Sequence, residues 1–132
     1  MRDYFFLYFD TMPTSTAQQK RYNGRTHTYF KDKRLMAAEQ AFYLALKPHA
    51  PRQPSDKPVE LHIWYYFDVK DKKKWGQPKT SKPDVDNYSK AFIDQMTKCG
   101  FWNDDSQITN LHIEKYYAEK ATIVVQYKEV EE

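Results

Sequence analysis

Hydrophobic and polar residues follow one another along this chain in patterns that predict four strands. Residues 4–9 are a short run of aromatic and aliphatic side chains, which is typical of a buried strand. Residues 59–67 alternate strictly and predict a strand with two different faces. One face carries Val59, Leu61, Ile63, Tyr65 and Phe67, and the other carries Glu60, His62, Trp64 and Tyr66. Residues 108–117 and 121–127 predict two further strands, joined through 118–120 as a hairpin.

Two other stretches have helical spacing. In residues 32–47 apolar side chains recur at helical intervals, and Asp32 is the expected N-cap. Residues 86–99 predict a second helix, closed by Gly100 at its C-terminal end. The order of elements is therefore β-α-β-α-β-β.

The segments between these elements predict loops: residues 11–26 are polar, 48–58 contain four prolines, and 69–83 are rich in lysine. A length of 132 residues suits one domain spanning residues 1–132. We expect a single α/β domain in which two main helices pack on a mixed β-sheet.

Composition narrows the class of protein. Hydrophobic residues make up 40% of the chain and aromatic residues 17%, which is enough to build a core. A single cysteine, Cys99, excludes an intrachain disulfide and a cysteine-rich zinc site, and we expect it to pack in the core. The first residues are apolar for only about five positions, so they predict neither a signal peptide nor a membrane span, and we expect a cytoplasmic protein.

Charge is distributed unevenly along the chain. Residues 1–83 contain 16 Lys and Arg against 8 Asp and Glu, a net charge of +8. Residues 84–132 contain 5 Lys against 10 Asp and Glu, a net charge of −5. This asymmetry occurs by chance on solvated surfaces, but it also suits a polyanion-binding surface beside a carboxylate cluster.

The acidic cluster begins immediately before the second helix. If the chain is extended through Asp86, the side chains of Asp84 and Asp86 point the same way. If these residues are helical, a two-residue step separates them by about 200°. Lys90 follows Asp86 by four residues and shares its helix face, and Asp94 continues that stripe.

Clustered carboxylates repel one another unless a cation lies between them, and Mg²⁺ or Mn²⁺ prefers carboxylate oxygens and water. Asp104 or Asp105 would supply a third carboxylate after the chain reverses at Gly100. Adjacent residues do not easily point to one place, so one of the pair is expected to be structural. The competing interpretation is that Asp84 and Asp86 only cap a helix and that Asp104 and Asp105 only form a turn.

At these residues the chain resembles the RusA-type Holliday junction resolvases of bacteria and their phages. The resemblance rests on Lys-Pro-Asp-Val-Asp-Asn at 82–87, Lys-Ala at 90–91 and Gly-Phe-Trp-Asn-Asp-Asp-Ser-Gln-Ile at 100–108. It extends to the basic segment 20–27 and covers most of the chain, and it is weakest over residues 48–80. The resemblance implies a homodimeric endonuclease that resolves four-way DNA junctions by paired symmetric nicks.

The family pattern contains three essential aspartates and one lysine, which fall on Asp84, Asp86, Asp105 and Lys90. Asp104 belongs to the same acidic pair and is kept as a supporting metal ligand. The implied cofactor is Mg²⁺, with Mn²⁺ as an alternative ion. No small-molecule cofactor and no membrane partner is expected.

Basic residues of the N-terminal part are expected to contact DNA phosphates. They are Lys20, Arg21, Arg25, Lys72, Lys73, Lys74, Lys79 and Lys82. Trp75 among the lysines would either stack on opened bases or cap a dimer core. His62 and His112 lie in predicted strands, where ordinary packing is a commoner role than metal binding.

Two other functions fit the same residues. One is a non-catalytic DNA-binding module, and the other is a nuclease that prefers a different branched DNA. For a homodimer, the second face of strand 59–67 is a candidate interface, because Trp64 and Tyr66 are costly to expose as a patch.

Overall fold

A computed structural model describes residues 3–14, 20–26, 28–31 and 33–131. Within these residues the strands are β1 (Asp3–Tyr8), β2 (Lys20–Asn23), β3 (Thr28–Lys31), β4 (Val59–Asp68), β5 (Ile108–Ala118) and β6 (Thr122–Glu129). The α-helices are α1 (Lys33–Leu46) and α2 (Val85–Cys99). Short 3-10 turns occupy Lys47–His49, Lys72–Lys74 and Asp105–Gln107. The predicted α/β class, with two main helices on a mixed sheet, is confirmed.

The main sheet has the strand order β1-β6-β4-β5. β4 pairs in parallel with β5 and antiparallel with β6, and β1 pairs antiparallel with β6. The predicted hairpin between the last two strands is therefore wrong, because β4 lies between them. The short connection between the two strands in the sequence favoured a hairpin. The alternating apolar residues of β4 are at most 5% exposed, however, and a central position in the sheet buries them in this way.

The predicted order of elements missed a two-stranded antiparallel ribbon. β2 and β3 pair in the register Lys20↔Lys31 to Asn23↔Thr28, in part of the stretch that the sequence predicts as a loop. A ribbon of four residues per strand has too short an alternation to be recognised beside so many polar residues. The expected N-cap Asp32 lies outside the described residues.

Both helices pack on one face of the sheet. Phe42 of α1 and Phe92 of α2 are in edge-to-face contact, with ring centroids 5.1 Å apart, and both are fully buried. Phe92 also lies against Tyr65 of β4, whose hydroxyl group is 2.8 Å from the Ser89 hydroxyl group. These contacts fix α2, which carries the acidic cluster, onto the central strand. Cys99 is buried at the end of α2, as expected.

No described helix or strand covers the opposite face of the sheet. Three aromatic side chains of β1 are more than half exposed there: Tyr4 (59%), Phe6 (51%) and Tyr8 (73%). Trp64 and Tyr66 of β4 lie on the same face and are half-buried. We call this surface the open face; its rows of side chains run from β1 through β6 and β4 to β5.

Candidate active site

The segment that leads into α2 is fastened to the sheet by a lysine. The Lys115 ammonium group on β5 donates hydrogen bonds to the carbonyl oxygens of Ser81 and Pro83, at 2.5 and 2.7 Å. Burial lowers the pKa of Lys115, as does the nearby Lys79, whereas Asp84 raises it. The peptide bond between Lys82 and Pro83 is cis. Lys115 therefore fixes the backbone on which Asp84 lies.

Asp84 is the N-cap residue of α2 by position but not by side-chain bonding. Its backbone is extended, with φ −66° and ψ 137°, and its carbonyl oxygen accepts the first helical hydrogen bond from the Tyr88 amide at 2.9 Å. Among the described residues, its carboxylate accepts no capping bond from a backbone amide; it meets only the Asn87 side-chain amide, at 3.5 Å. The interpretation of Asp84 as merely a cap is thus not supported, and its exposed carboxylate is available to a ligand.

Asp86 lies in the first turn of α2, so the chain is already helical there. Of the two geometries considered from the sequence, extension through Asp86 is therefore wrong, but Asp84 itself is extended, so the fully helical relation does not apply to the pair either. The predicted stripe is present: Asp86, Lys90 and Asp94 recur every four residues along one side of the helix. Asp86 and Lys90 are exposed, and Asp94 is half-buried.

Asp104 and Asp105 have different environments. The Asp104 carboxylate caps the turn that follows α2: it accepts a hydrogen bond from the Ser106 amide at 2.9 Å, while Gln107 completes a capping box. The Gln107 side chain accepts from the amides of Asn103 and Asp104 and donates to the carbonyl oxygens of Ser55 and Lys57. This network holds the turn against the segment before β4. The Asp104 carboxylate therefore has a structural role in the turn.

Asp105 faces α2. Burial raises the pKa of the Asp105 carboxyl group, and its hydrogen bond to the Asp104 carboxylate and the charges of Asp104 and Asp94 raise it further, while Lys90 opposes them. The pKa of Asp104 is lowered instead, chiefly by the amide and side chain of Ser106. The fold therefore brings Asp105 to the Lys90 and Asp94 part of the helix stripe, from a segment beyond the end of the helix.

These carboxylates do not form a closed cage. In the part of the chain that the structure describes, no three of Asp84, Asp86, Asp104 and Asp105 have side-chain oxygens all within 4.8 Å of one another. The donor set nevertheless fits Mg²⁺, since all of its members are carboxylates, all are exposed, and Asp84 is not used in capping. Such an open arrangement leaves room for water ligands, which Mg²⁺ retains in most protein sites.

An open cavity of about 540 Å³ adjoins Asp84. Lys79 and Lys82 line it together with Asn87, Phe67 and Tyr117. The Lys79 ammonium group donates a hydrogen bond to the Ser81 hydroxyl group at 2.7 Å and lies 4.8 Å from the centre of the Tyr117 ring. Two of the lysines predicted to contact DNA thus share a cavity with a predicted metal ligand.

The lysine-rich loop is more ordered than its composition predicts. Lys72, Lys73 and Lys74 form a 3-10 turn capped by Asp71, and all three are exposed. Beyond this turn the chain runs along the outer edge of β5, where the Gly76 amide donates to the Tyr117 carbonyl and the Lys79 amide to the Lys115 carbonyl. The loop therefore presents its lysines from a fixed position and protects the sheet edge.

The other residues predicted to contact DNA lie in the ribbon and in the lysine-rich loop. Lys20 and Arg21 are the first two residues of β2, and Arg25 is exposed in the turn between β2 and β3. Trp75 is half-buried, and its indole nitrogen donates to the Val69 carbonyl at 2.9 Å. Stacking of Trp75 on opened bases, and its alternative role in a dimer core, stay predictions.

Sequence reasoning missed Lys115 and Tyr117, which hold the segment before α2. A single lysine within a strand does not stand out from the alternation of hydrophobic and polar residues. The partners of Lys115 are backbone carbonyls 32 and 34 residues away in the sequence, which no local pattern indicates. The Tyr117 hydroxyl group shares a hydrogen bond with the Ser81 hydroxyl group at 3.1 Å, which again joins distant segments of the chain.

No helix among the described residues has the length and apolar character needed to cross a membrane.

Known proteins are similar to this chain over most of its length. The family model for endodeoxyribonuclease RusA matches residues 10–128. A crossover junction endodeoxyribonuclease of Lactococcus phage r1t is 34% identical over 98% of this chain and 100% of its own length. The RusA crossover junction endodeoxyribonuclease of Shigella sonnei is 36% identical over 78% of this chain and 76% of its own, and the uncharacterized protein YqaN of Bacillus subtilis is 29% identical over 82% of each. With the match covering nearly the whole domain and all of α2, the chain belongs to the RusA family of endodeoxyribonucleases.

Proposed function

We propose that this chain is a Mg²⁺-dependent endonuclease that resolves four-way DNA junctions by paired symmetric nicks. The observation that carries the proposal is the approach of Asp105 to Lys90 and Asp94 on α2, on the helix that also bears Asp86. The family pattern assigns its aspartates and lysine to two segments, and the turn capped by Asp104 directs the second segment toward the first. The names of the relatives agree with this substrate class.

Each residue has a separate role in this proposal. Asp84, Asp86 and Asp105 would hold Mg²⁺, and Asp104 would support them by fixing the turn. When bound, Mg²⁺ supplies a water of lowered pKa and polarises a phosphoryl oxygen. The Lys90 ammonium group offsets negative charge on the phosphate or on the leaving oxygen. Lys79 and Lys82 hold the DNA backbone against the cavity beside Asp84.

The test is cleavage of synthetic four-way, three-way, flap and linear DNA in parallel, with Mg²⁺, Mn²⁺ or EDTA. We expect the four-way junction to be cut fastest, on opposed strands, and EDTA to stop the reaction. Junction binding without cleavage in any metal would support the non-catalytic binding module instead. Faster cleavage of three-way or flap DNA would assign the enzyme a different branched substrate.

We further propose that the enzyme is a homodimer joined through the open face. Resolving a junction requires two cuts related by approximate two-fold symmetry, which a C₂ dimer supplies with one interface. Tyr4, Phe6 and Tyr8 form an exposed aromatic row on β1, and Trp64 extends it, with ring centroids of Tyr4 and Trp64 6.5 Å apart. Burying such a patch is favourable, and aromatic residues are enriched in protein interfaces.

Light scattering during size exclusion tests the dimer. We expect a mass near twice 15.9 kDa for the unaltered chain and a shift toward the monomer for Phe6→Glu, which places a charge in the patch. The matched control is Leu44→Glu, because Leu44 is similarly exposed (63%) but lies on α1, on the opposite side of the sheet. A monomeric unaltered chain, or equal dissociation by both variants, would contradict this interface.

A further inference from the structure

A group of three candidate metal ligands lies on the open face, apart from the aspartates. His62 of β4 and His112 of β5 are paired neighbours in the parallel register, and Glu114 follows His112 on the same face of β5. The Glu114 carboxylate oxygen Oε2 is 2.7 Å from Nε2 of His62 and 3.3 Å from Nε2 of His112. All three ligand atoms lie within 4.8 Å of one another.

These separations suit a tetrahedral ion. Zinc binds imidazole nitrogen and carboxylate oxygen at about 2.0–2.2 Å, which places neighbouring ligand atoms about 3.3 Å apart in a tetrahedral site. The His112 to Glu114 separation already has that value, and the His62 to Glu114 contact needs to lengthen only slightly as the ion replaces the shared proton. The side chains of His62 and Glu114 are about one quarter exposed and that of His112 is 62% exposed. An ion therefore has access from the β5 edge of the open face, which is the edge opposite to the aromatic row of β1 in the proposed dimer interface.

The surrounding residues hold the three ligands in place. The second oxygen of Glu114, Oε1, accepts a hydrogen bond from the Tyr116 hydroxyl group. The other oxygen, Oε2, is the one that contacts His62, so both oxygens of Glu114 have a polar partner. The indole of Trp64 stacks on the imidazole of His62, with ring centroids 3.5 Å apart. Ligands whose outer partners fix their orientation are characteristic of metal centres.

A buried side chain provides an independent observation. Gln126 lines the same cavity as His62 and His112 and is only 5% exposed. Its side-chain nitrogen Nε2 is buried and has no hydrogen-bond partner among the described residues. Leaving such a donor unpaired is unfavourable, so the site favours a bound group that accepts its hydrogen bond.

We propose that His62, His112 and Glu114 form a transition-metal site that takes Zn²⁺, separate from the carboxylates of the nuclease centre. Two imidazoles and one carboxylate favour zinc and related ions over Mg²⁺, which prefers oxygen ligands. Three protein ligands leave a fourth position for water, whose oxygen is a suitable acceptor for Gln126. The ion ties the edge strand β5 to the central strand β4, and β5 carries Lys115, which fastens the segment before α2.

Zinc affinity, measured by competition with a chromophoric chelator, tests the site. We expect one tightly bound Zn²⁺ per chain and at least about tenfold weaker binding in His112→Gln, a substitution at an exposed position of an edge strand. His49→Gln is the matched control, because it removes an exposed imidazole elsewhere. Asp86→Asn should bind Zn²⁺ at this site as the unaltered chain does.

A second readout identifies the ligands directly. Co²⁺ in place of Zn²⁺ should give the visible absorption of a tetrahedral site with nitrogen and oxygen ligands, and His112→Gln should lose it. Equal zinc affinity in His112→Gln and the unaltered chain would overturn the proposal. So would loss of the tight site in Asp86→Asn, because the zinc would then occupy the nuclease centre; either result leaves the junction-cleavage test unaffected.

Discussion

Asp105→Asn is expected to abolish junction cleavage, whereas Asp104→Asn should retain a substantial part of it. Asp105 lies within electrostatic reach of Lys90 and Asp94, and burial, together with the neighbouring negative charges, raises the pKa of its carboxyl group. Replacing it with the isosteric amide removes a proposed metal-ligand charge, and we expect a loss of at least about 100-fold. The Asp104 carboxylate serves the turn, and an asparagine at that N-cap preserves most of the capping bond.

The measurement is the single-turnover rate on a four-way junction at saturating Mg²⁺, together with junction affinity in EDTA. Asp84→Asn and Asp86→Asn should behave like Asp105→Asn in rate. All of these variants should bind the junction at least as well as the unaltered enzyme, because each loses a negative charge that repels phosphate.

Glu119→Gln is the charge control, since Glu119 is exposed in the turn between β5 and β6. It should cut at the normal rate. A nearly normal rate in Asp105→Asn with a large loss in Asp104→Asn would reverse the assignment within the acidic pair. Weakened DNA binding in Asp105→Asn would show that the residue acts through folding of the turn.

The sequence predicted the elements of the main sheet well but not their arrangement. Strict alternation in residues 59–67 identified β4 and its buried face, because one side of that strand is buried and packs against α2. Alternation does not specify which strands are neighbours. The insertion of β4 between β5 and β6 depends on burial across the whole sheet, and the three residues between those strands wrongly suggested a hairpin.

For the candidate site, the sequence identified residue types and spacing but not environments. Asp84 and Asp86 were proposed from their positions at the start of α2, while the preference for Asp105 over Asp104 rests on the hydrogen bonds of Asp104 with Ser106 and Gln107. His62 and His112 were interpreted as ordinary strand residues, since they lie far apart in the chain. Only the parallel register of β4 and β5 places them side by side.

The second large effect that we expect is a steep dependence of junction affinity on salt concentration. Lys72, Lys73 and Lys74 are exposed on a capped turn, and Lys79 and Lys82 line the cavity beside Asp84. Each contacted phosphate releases counterions, so the binding affinity falls steeply as the salt concentration rises. With five such lysines in each protomer of a proposed dimer, we expect the junction affinity to fall by at least about 1,000-fold between about 50 and 200 mM monovalent salt.

Individual lysines can be assigned from the slope of that dependence. Lys82→Met should weaken binding and reduce the slope of log affinity against log salt by about one for each phosphate that the variant no longer neutralises. Lys120→Met is the control, because Lys120 is exposed in the turn between β5 and β6 and lies outside the basic N-terminal part. Affinities are measured in EDTA so that cleavage does not alter the DNA.

A phosphate-dominated interface and a structural role for Lys82 give different results in this experiment. If Lys82 contacts phosphate, its replacement lowers affinity most at low salt, and the curves of variant and unaltered enzyme converge as salt rises. If Lys82 only shapes the segment before α2, affinity falls by the same factor at every salt concentration and the slope is unchanged. A flat affinity of the unaltered enzyme from about 50 to 200 mM salt would contradict the electrostatic interface as a whole, because released counterions are what make phosphate binding depend on salt.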